Sequence, residues 1–298
     1  MDRSESLFEK QRIKRFNFSV WTVLTGTLLA RTSYFMAWPF LIVFLYEDYG
    51  ASAIEVGTML AVSAVVGAGT GLYSGYLSDK LGRKWVMVLG SWIASISYTG
   101  IALASEVWQF YVLIMMTGLM RPMIEAPAKA VIGDNLSDLK DRELALNIRY
   151  FLLNLGGALG PLIGITLALS QPQNLFFVAG GTYVVYGFWL LLGIERKGTF
   201  TKPDPSQLPN FAATLNVIRK DNIFVKLMVA NFIMMFVYAQ VESSIPQVIV
   251  RSSITDAAQL IAGLVLVNTL TIIVFQFPML KWLEHVPLFV RTRIGMIL

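Results

Sequence analysis

Long apolar runs separated by short polar breaks set the pattern of this chain, and eight of the runs reach the length of about 20 residues needed to cross the hydrocarbon core. They cover Phe18 to Tyr46, Ser52 to Ser74, Trp85 to Ala104, Val107 to Val131, Leu144 to Leu169, Leu175 to Ile194, Ile223 to Ile249 and Ala257 to Met279. Each is read as a helix, because hydrocarbon leaves a backbone polar group no partner outside its own segment or a closed barrel. The breaks carry the charge. Met1 to Arg15 reads as a basic tail, and Glu47-Asp48-Tyr49-Gly50 as an acidic turn. Gly75 to Lys84 is a charged turn, Asp134 to Glu143 a polar loop, and Glu195 to Asp221 a linker rich in Pro, Lys and Arg. After Lys281 to Arg293, Ile294 to Leu298 starts an apolar segment too short to span.

Composition agrees with this pattern and narrows the chemistry. Of 298 residues, 55% are hydrophobic and 14% charged, too little polar material for the surface of a soluble domain. The net charge of +5 is read as basic membrane-facing loops rather than a nucleic-acid surface. With no cysteine and the single histidine His285, read as a loop residue, disulfides, thiolate chemistry and a zinc centre are excluded. No cofactor is expected. The first span is far longer than a signal-peptide core and is read as retained. Nearly all loop Lys and Arg fall on one side, with Arg251 alone opposite, so both termini are assigned to the cytoplasm. Eight spans independently give the same parity. Trp21, Trp85 and Trp282 at inner ends and Trp108 at an outer start fit interfacial aromatic belts.

The turn Gly75-x-x-x-Asp79-Lys80-x-Gly82-Arg83-Lys84 resembles the signature loop between helices 2 and 3 of the major facilitator superfamily. Trp85 stands where many members carry a third basic residue. The likeness covers essentially the whole chain and implies an all-α integral membrane fold. Residues 1–194 would be the N-terminal six-helix half, 195–222 a cytoplasmic linker, and 223–298 a partial second half with helices 7, 8 and a stub of 9. Four further helices expected of the superfamily do not follow Leu298, so the resemblance implies a C-terminally truncated member. In the fifth span Gly156, Gly160, Pro161 and Gly164 resemble the antiporter motif of the bacterial drug:proton branch, with Ile165 replacing a frequent glycine. A packing seam with a kink accounts for the same residues. Ile114 occupies the place where many members of that branch carry a basic residue.

Intramembrane ionisable residues are the remaining source of chemistry, since each costs about 2.5–3.5 kcal/mol at a helix centre unless it meets water or a partner. Arg31, Arg121, Glu125 and Glu242 are those residues, on spans that the resemblance implies line a central cavity. Arg121, Glu125 and Lys129 recur at intervals of four on one helix face, where Arg121 and Glu125 either neutralise one another or serve the cavity. Arg31 has no local partner and is the candidate for holding an anionic group or a distant carboxylate. Arg149, near the inner interface, is expected to pair with a loop acid such as Asp134. Two readings stay open. One is a proton-coupled exporter of drugs or metabolites in the inner membrane, working in its full-length form as a monomer with lipid, a small-molecule substrate and protons as partners. The other is a truncated remnant that does not transport, or a superfamily importer of another substrate class. No enzyme constellation appears in the sequence.

The charge count makes a labelling prediction. Single cysteines introduced into this cysteine-free chain at Ser206 and Ser253 should react with a membrane-impermeant thiol reagent in intact cells only at Ser253. Labelling at Ser206 instead would invert the assigned topology.

Overall fold

The computed structural model describes residues 7, 10–168, 171–195, 211–252, 254, 256–283, 286, 287, 290 and 291. The described elements are helices: α1 (Lys10–Lys14), α2 (Phe18–Glu47), α3 (Ala53–Leu81), α4 (Arg83–Leu103), α5 (Val107–Asn135), α6 (Leu139–Ala168), α7 (Pro172–Gly193), α8 (Phe211–Lys220), α9 (Asn222–Glu242), α10 (Ser244–Arg251) and α11 (Ala257–Trp282). Among the described residues eight segments are long and apolar enough to cross a membrane, α9 and α10 together forming one of them.

Local chemistry sets the helix ends. Asn17 accepts a hydrogen bond from the Val20 amide at the start of α2. Ser52 and Glu55 form a reciprocal capping box at the start of α3, the Ser52 hydroxyl accepting from the Glu55 amide and the Glu55 carboxylate from the Ser52 amide. Asp221 accepts from the amides of Ile223 and Phe224 and opens α9. Pro39, Pro122, Pro127, Pro161 and Pro278 lie inside long helices without ending them.

Helix α2 is central, packed along α6 on one side and α7 on the other. Helix α4 lies between α5 and α7, α3 covers α5, and α11 packs on α6. At one end Phe44, Tyr49, Phe110 and Phe176 close the core with ring centroids 4.7–6.1 Å apart. Lipid is as apolar as these side chains, so what fixes the helices is close fit rather than removal from water. The tightest fit is between α6 and α2. A Cβ on Gly156 would stand 2.9 Å from the backbone nitrogen of Thr32. One on Gly160 would stand 2.7 Å from the Thr32 carbonyl oxygen, and one on Gly164 2.7 Å from that of Met36. Three residues at intervals of four thus remove side chains from one face and let backbone meet backbone.

Four features depart from the sequence reading. The basic tail includes the short helix α1, whose Arg12 is buried and donates to Asp141 at 2.7 Å and Asp138 at 3.1 Å at the start of α6. Asp138 also accepts from the amides of Asp141 and Lys140, and these bonds hold its carboxyl below the usual carboxylate range. The turn assigned to Gly75–Lys84 is almost wholly helical, because α3 continues to Leu81 and only Gly82 is left between it and α4. Gly82 has φ 98°, a conformation that costs a side chain and that glycine adopts freely. The polar loop 134–143 likewise shrinks to three residues between α5 and α6. The seventh span breaks at Ser243, because Pro246 lacks an amide proton and its ring collides with the carbonyl four residues back, at Glu242. Helix α9 has no buried residue. His285, Ser206, Ser253 and residues 196–210 of the linker lie outside the described residues.

Gly160→Ala should lower the stability of the purified protein by about 1–3 kcal/mol through overpacking of the α2–α6 contact. Gly75→Ala, whose Cβ would meet nothing within 4 Å, should change it by less than about 0.5 kcal/mol. Thermal unfolding midpoints in detergent check the pair, and equal midpoints would remove the steric account of the seam.

Candidate functional site

Arg31 stands at the α2–α6 seam. Gly156 lies against the Arg31 Cβ, at 2.9 Å for an added methyl, and the Arg31 side chain lines a cavity among the central helices. The cavity is lined by Thr27, Ala30, Arg31 and Tyr34 from α2, by Met120, Arg121, Ile124 and Glu125 from α5, by Arg149 and Leu153 from α6, and by Tyr183 from α7. The Arg31 guanidinium stands over the rings of Phe35, at 4.3 Å, and Tyr34, at 5.2 Å. Arg121 donates through Nε to Glu125 Oε1 at 3.2 Å and stands 5.8 Å from the Tyr34 ring. The side chains of Arg121 and Glu125 keep 48% and 31% of their surface exposed, because they face the cavity rather than a neighbouring helix.

Aromatic residues fix the walls. Tyr183 donates to the Ala30 carbonyl at 3.1 Å and stacks on Tyr98 at 5.6 Å. Tyr34 stacks on Trp38 at 5.4 Å and donates to Glu242 Oε2 at 3.4 Å, a bond between α2 and the end of α9. Glu242 therefore meets the site through Tyr34 and does not line the cavity itself.

Of the four intramembrane candidates, Arg31, Arg121 and Glu125 share the cavity, and Glu242 is one hydrogen bond away. Arg149 corrects the sequence reading. It is not paired with Asp134, which belongs to Arg83. It is 4% exposed, faces the cavity, and is near enough to Glu125 for their charges to interact. One turn of α6 more than the sequence suggests separates Arg149 from the start of that helix, which begins at Leu139 and not Leu144. Tyr34, Tyr98 and Tyr183 were missed outright. Only Tyr34 carried a signal, standing three residues after Arg31 and so on the same helix face.

The charged turn makes a separate cluster. Arg83 pairs with Asp79 at 2.8 Å, with Asp134 at the end of α5, and with the Ser78 hydroxyl at 3.3 Å. Lys84 donates to the Ile194 carbonyl at the end of α7, at 2.9 Å, while Lys80 is exposed. Arg83 and Lys84 therefore tie the α3–α4 junction to two other helix ends. Gly156, Gly160 and Gly164 form the seam described above, and Pro161 is buried within it.

The described residues form an all-helical bundle with a cavity among its central helices, and the sequence matches the Major Facilitator Superfamily over residues 23–298. The chain belongs to that family. It is 31% identical over 266 residues to the "Uncharacterized MFS-type transporter YqjV" of Bacillus subtilis (strain 168), covering 89% of this chain and 65% of the relative. It is 25% identical to a "Na(+), Li(+), K(+)/H(+) antiporter" of Planococcus maritimus, covering 82% and 62% of the two chains. The "Multidrug resistance protein MdtH" of Photorhabdus laumondii is 25% identical over 183 residues, 61% of this chain and 45% of that one. The chain thus spans less than two thirds of the length of these relatives. A solved bacterial homologue of the human drug peptide transporters PepT1 and PepT2 superposes with a TM-score of 0.65 at 16% identity, covering 90% of this chain and 71% of that one, which shows a common fold. The protein is a multi-pass membrane protein.

Arg83→Ala and Asp134→Ala should be non-additive in unfolding free energy. The pair is partly exposed, 26% and 36%, and the screening this implies limits the coupling to about 0.5–1 kcal/mol. A double-mutant cycle on the purified protein measures it, and strict additivity would reduce the contact to a surface coincidence.

Proposed function

We propose that the full-length molecule is a secondary active transporter of small molecules whose flux is coupled to protons through Glu125. The observation that carries this reading is the Arg121–Glu125 pair facing a polar cavity among α2, α5, α6 and α7, with Arg31 and Arg149 on the opposing walls. A carboxylate inside a membrane bundle is costly unless it meets water or a partner, and such groups mark proton and substrate pathways. The protonation state of Glu125 depends on how many cations stand near it and how much water reaches it, and both change when helices rock around a midplane site. The Tyr34–Glu242 bond joins the rim of the cavity to α9, so movement of α9 relative to α2 would be felt at the site. The names of the relatives, a cation/proton antiporter and a multidrug resistance protein among them, support transport rather than enzymatic turnover.

On this reading residues 1–194 form one transporting half, 195–222 a cytoplasmic linker and 223–298 part of the other half. The protein acts as a monomer in the cell's inner membrane with both termini in the cytoplasm. Arg83, Asp79, Asp134 and Lys84 hold the inner ends of α3, α4, α5 and α7 together, and Gly156, Gly160, Pro161 and Gly164 serve as the surface on which α6 and α2 bear on one another.

In proteoliposomes holding the full-length transporter, Glu125→Gln should abolish substrate accumulation driven by a pH gradient while substrate binding persists. Accumulation that continues in this variant would leave Glu125 as nothing more than the structural partner of Arg121.

A further inference from the structure

We propose that the cavity is a binding site for a small organic anion, a carboxylate carried on an apolar or aromatic body, gripped by Arg31 and Arg149. The charges on its wall do not balance. Three guanidinium groups, Arg31, Arg121 and Arg149, face one carboxylate, Glu125, and Glu125 is taken by Arg121. Among the described residues neither Arg31 nor Arg149 has an acidic group within 4.0 Å. The Nε atoms of both are buried without a hydrogen-bond partner, although Arg149 is 4% exposed and so has little access to water to replace one. Glu242, held on Tyr34 outside the cavity, lessens the surplus without removing it.

A guanidinium buried without a counter-charge costs several kcal/mol, a cost that an arriving anion offsets. The arginine fork offers parallel donors that match a carboxylate's two oxygens. Contacts for the rest of the ligand come from the rings of Tyr34 and Tyr183 and from Ala30, Met120, Ile124 and Leu153. A lipophilic cation would meet the same rings and two unpaired positive charges beside them.

One consequence rests on the reading of Glu125 given above. The groups that face Glu125 electrostatically are Arg121 on its own helix, Arg31 on α2, Arg149 on α6, and Tyr183 and Tyr186 on α7. Its negative charge draws on Arg31 and Arg149 as well as on Arg121, and the ligand's charge would compete with it for the first two. A proton on Glu125 and an anion in the cavity therefore favour one another, the sign required for movement in the same direction. Exchange of a drug for a proton, which the fifth-span motif suggests, needs the opposite sign.

Equilibrium dialysis of the purified chain in detergent, with benzoate and benzyltrimethylammonium as probes of similar body and opposite charge, tests the assignment without requiring flux. Benzoate should bind and the cation should neither bind nor displace it. Arg31→Gln and Arg149→Gln should each weaken benzoate by about tenfold or more, a loss of one charge-assisted contact. Arg149→Lys, which keeps the charge and guards against a folding defect, should retain part of the affinity. Glu125→Gln should tighten benzoate by about tenfold, because it removes the competitor. Absence of benzoate binding, or equal binding by Arg149→Gln, would overturn the anion site. Binding of the cation that is lost in Glu125→Gln would also overturn it, while leaving proton coupling through Glu125 intact. Benzoate binding that Glu125→Gln leaves unchanged would instead remove the link between the anion and Glu125 and keep the site.

Discussion

Backbone contact between α2 and α6 is the constraint on which the rest of this molecule depends. Gly156, Gly160 and Gly164 present a face without side chains, and any Cβ there would overlap the backbone of Thr32 or Met36. Inside lipid there is no hydrophobic gain from pressing two helices together, so dispersion over a close, matched surface must hold them. Beside this contact Arg31 lines the cavity that Arg121, Glu125 and Arg149 also line. A sequence likeness to an antiporter motif and a packing seam are therefore the same residues, and the packing explains why small residues must stand there.

Charge organises the end of the bundle that carries α1 in a different manner. Arg12 is 2% exposed and Asp141 4%, a buried pair that gains little net stability over an apolar substitute, and each has a second partner, Asp138 for Arg12 at 3.1 Å and Arg15 for Asp141 at 3.3 Å. Arg83, shared by Asp79, Asp134 and the Ser78 hydroxyl, and Lys84, on the Ile194 carbonyl, are more open and individually weaker. Their value lies in specificity of position: each long side chain joins elements distant in sequence, so the ends of α3, α4, α5 and α7 are held together. Across the molecule, Arg251 of α10 donates to the Ala51 carbonyl at 3.2 Å, and Gln276 of α11 donates to the Asn147 carbonyl at 2.9 Å. These polar contacts, with Tyr34–Glu242, bind the later helices to the first six.

The cavity combines the two principles. Its aromatic walls are braced, Tyr183 by stacking on Tyr98 and a hydrogen bond to the Ala30 carbonyl, Tyr34 by stacking on Trp38 and a hydrogen bond to Glu242. Its charges are unequal. A braced polar site with unmatched cations is poised for an exchangeable negative charge, whether that of Glu125, of a ligand, or of both in turn.

Sequence alone determined the spans and the family, because an apolar run of fixed length and a charged, Gly-punctuated turn are local properties that hydrocarbon and backbone chemistry constrain residue by residue. It also singled out Arg31, Arg121 and Glu125, since an ionisable group in an apolar run stands out without any knowledge of its neighbours. The break at Ser243 was legible in principle from Pro246, whose effect reaches four residues back along one chain. What only the tertiary structure decided is partnership. Arg149 faces Glu125 and not Asp134, Arg12 is a buried anchor and not part of a solvated tail, and Tyr183 supports Ala30 from a helix some 150 residues away. Such pairings depend on how α2, α5, α6 and α7 rotate against one another, and that rotation is set by the close approach at a few glycines rather than by any pattern along a single helix.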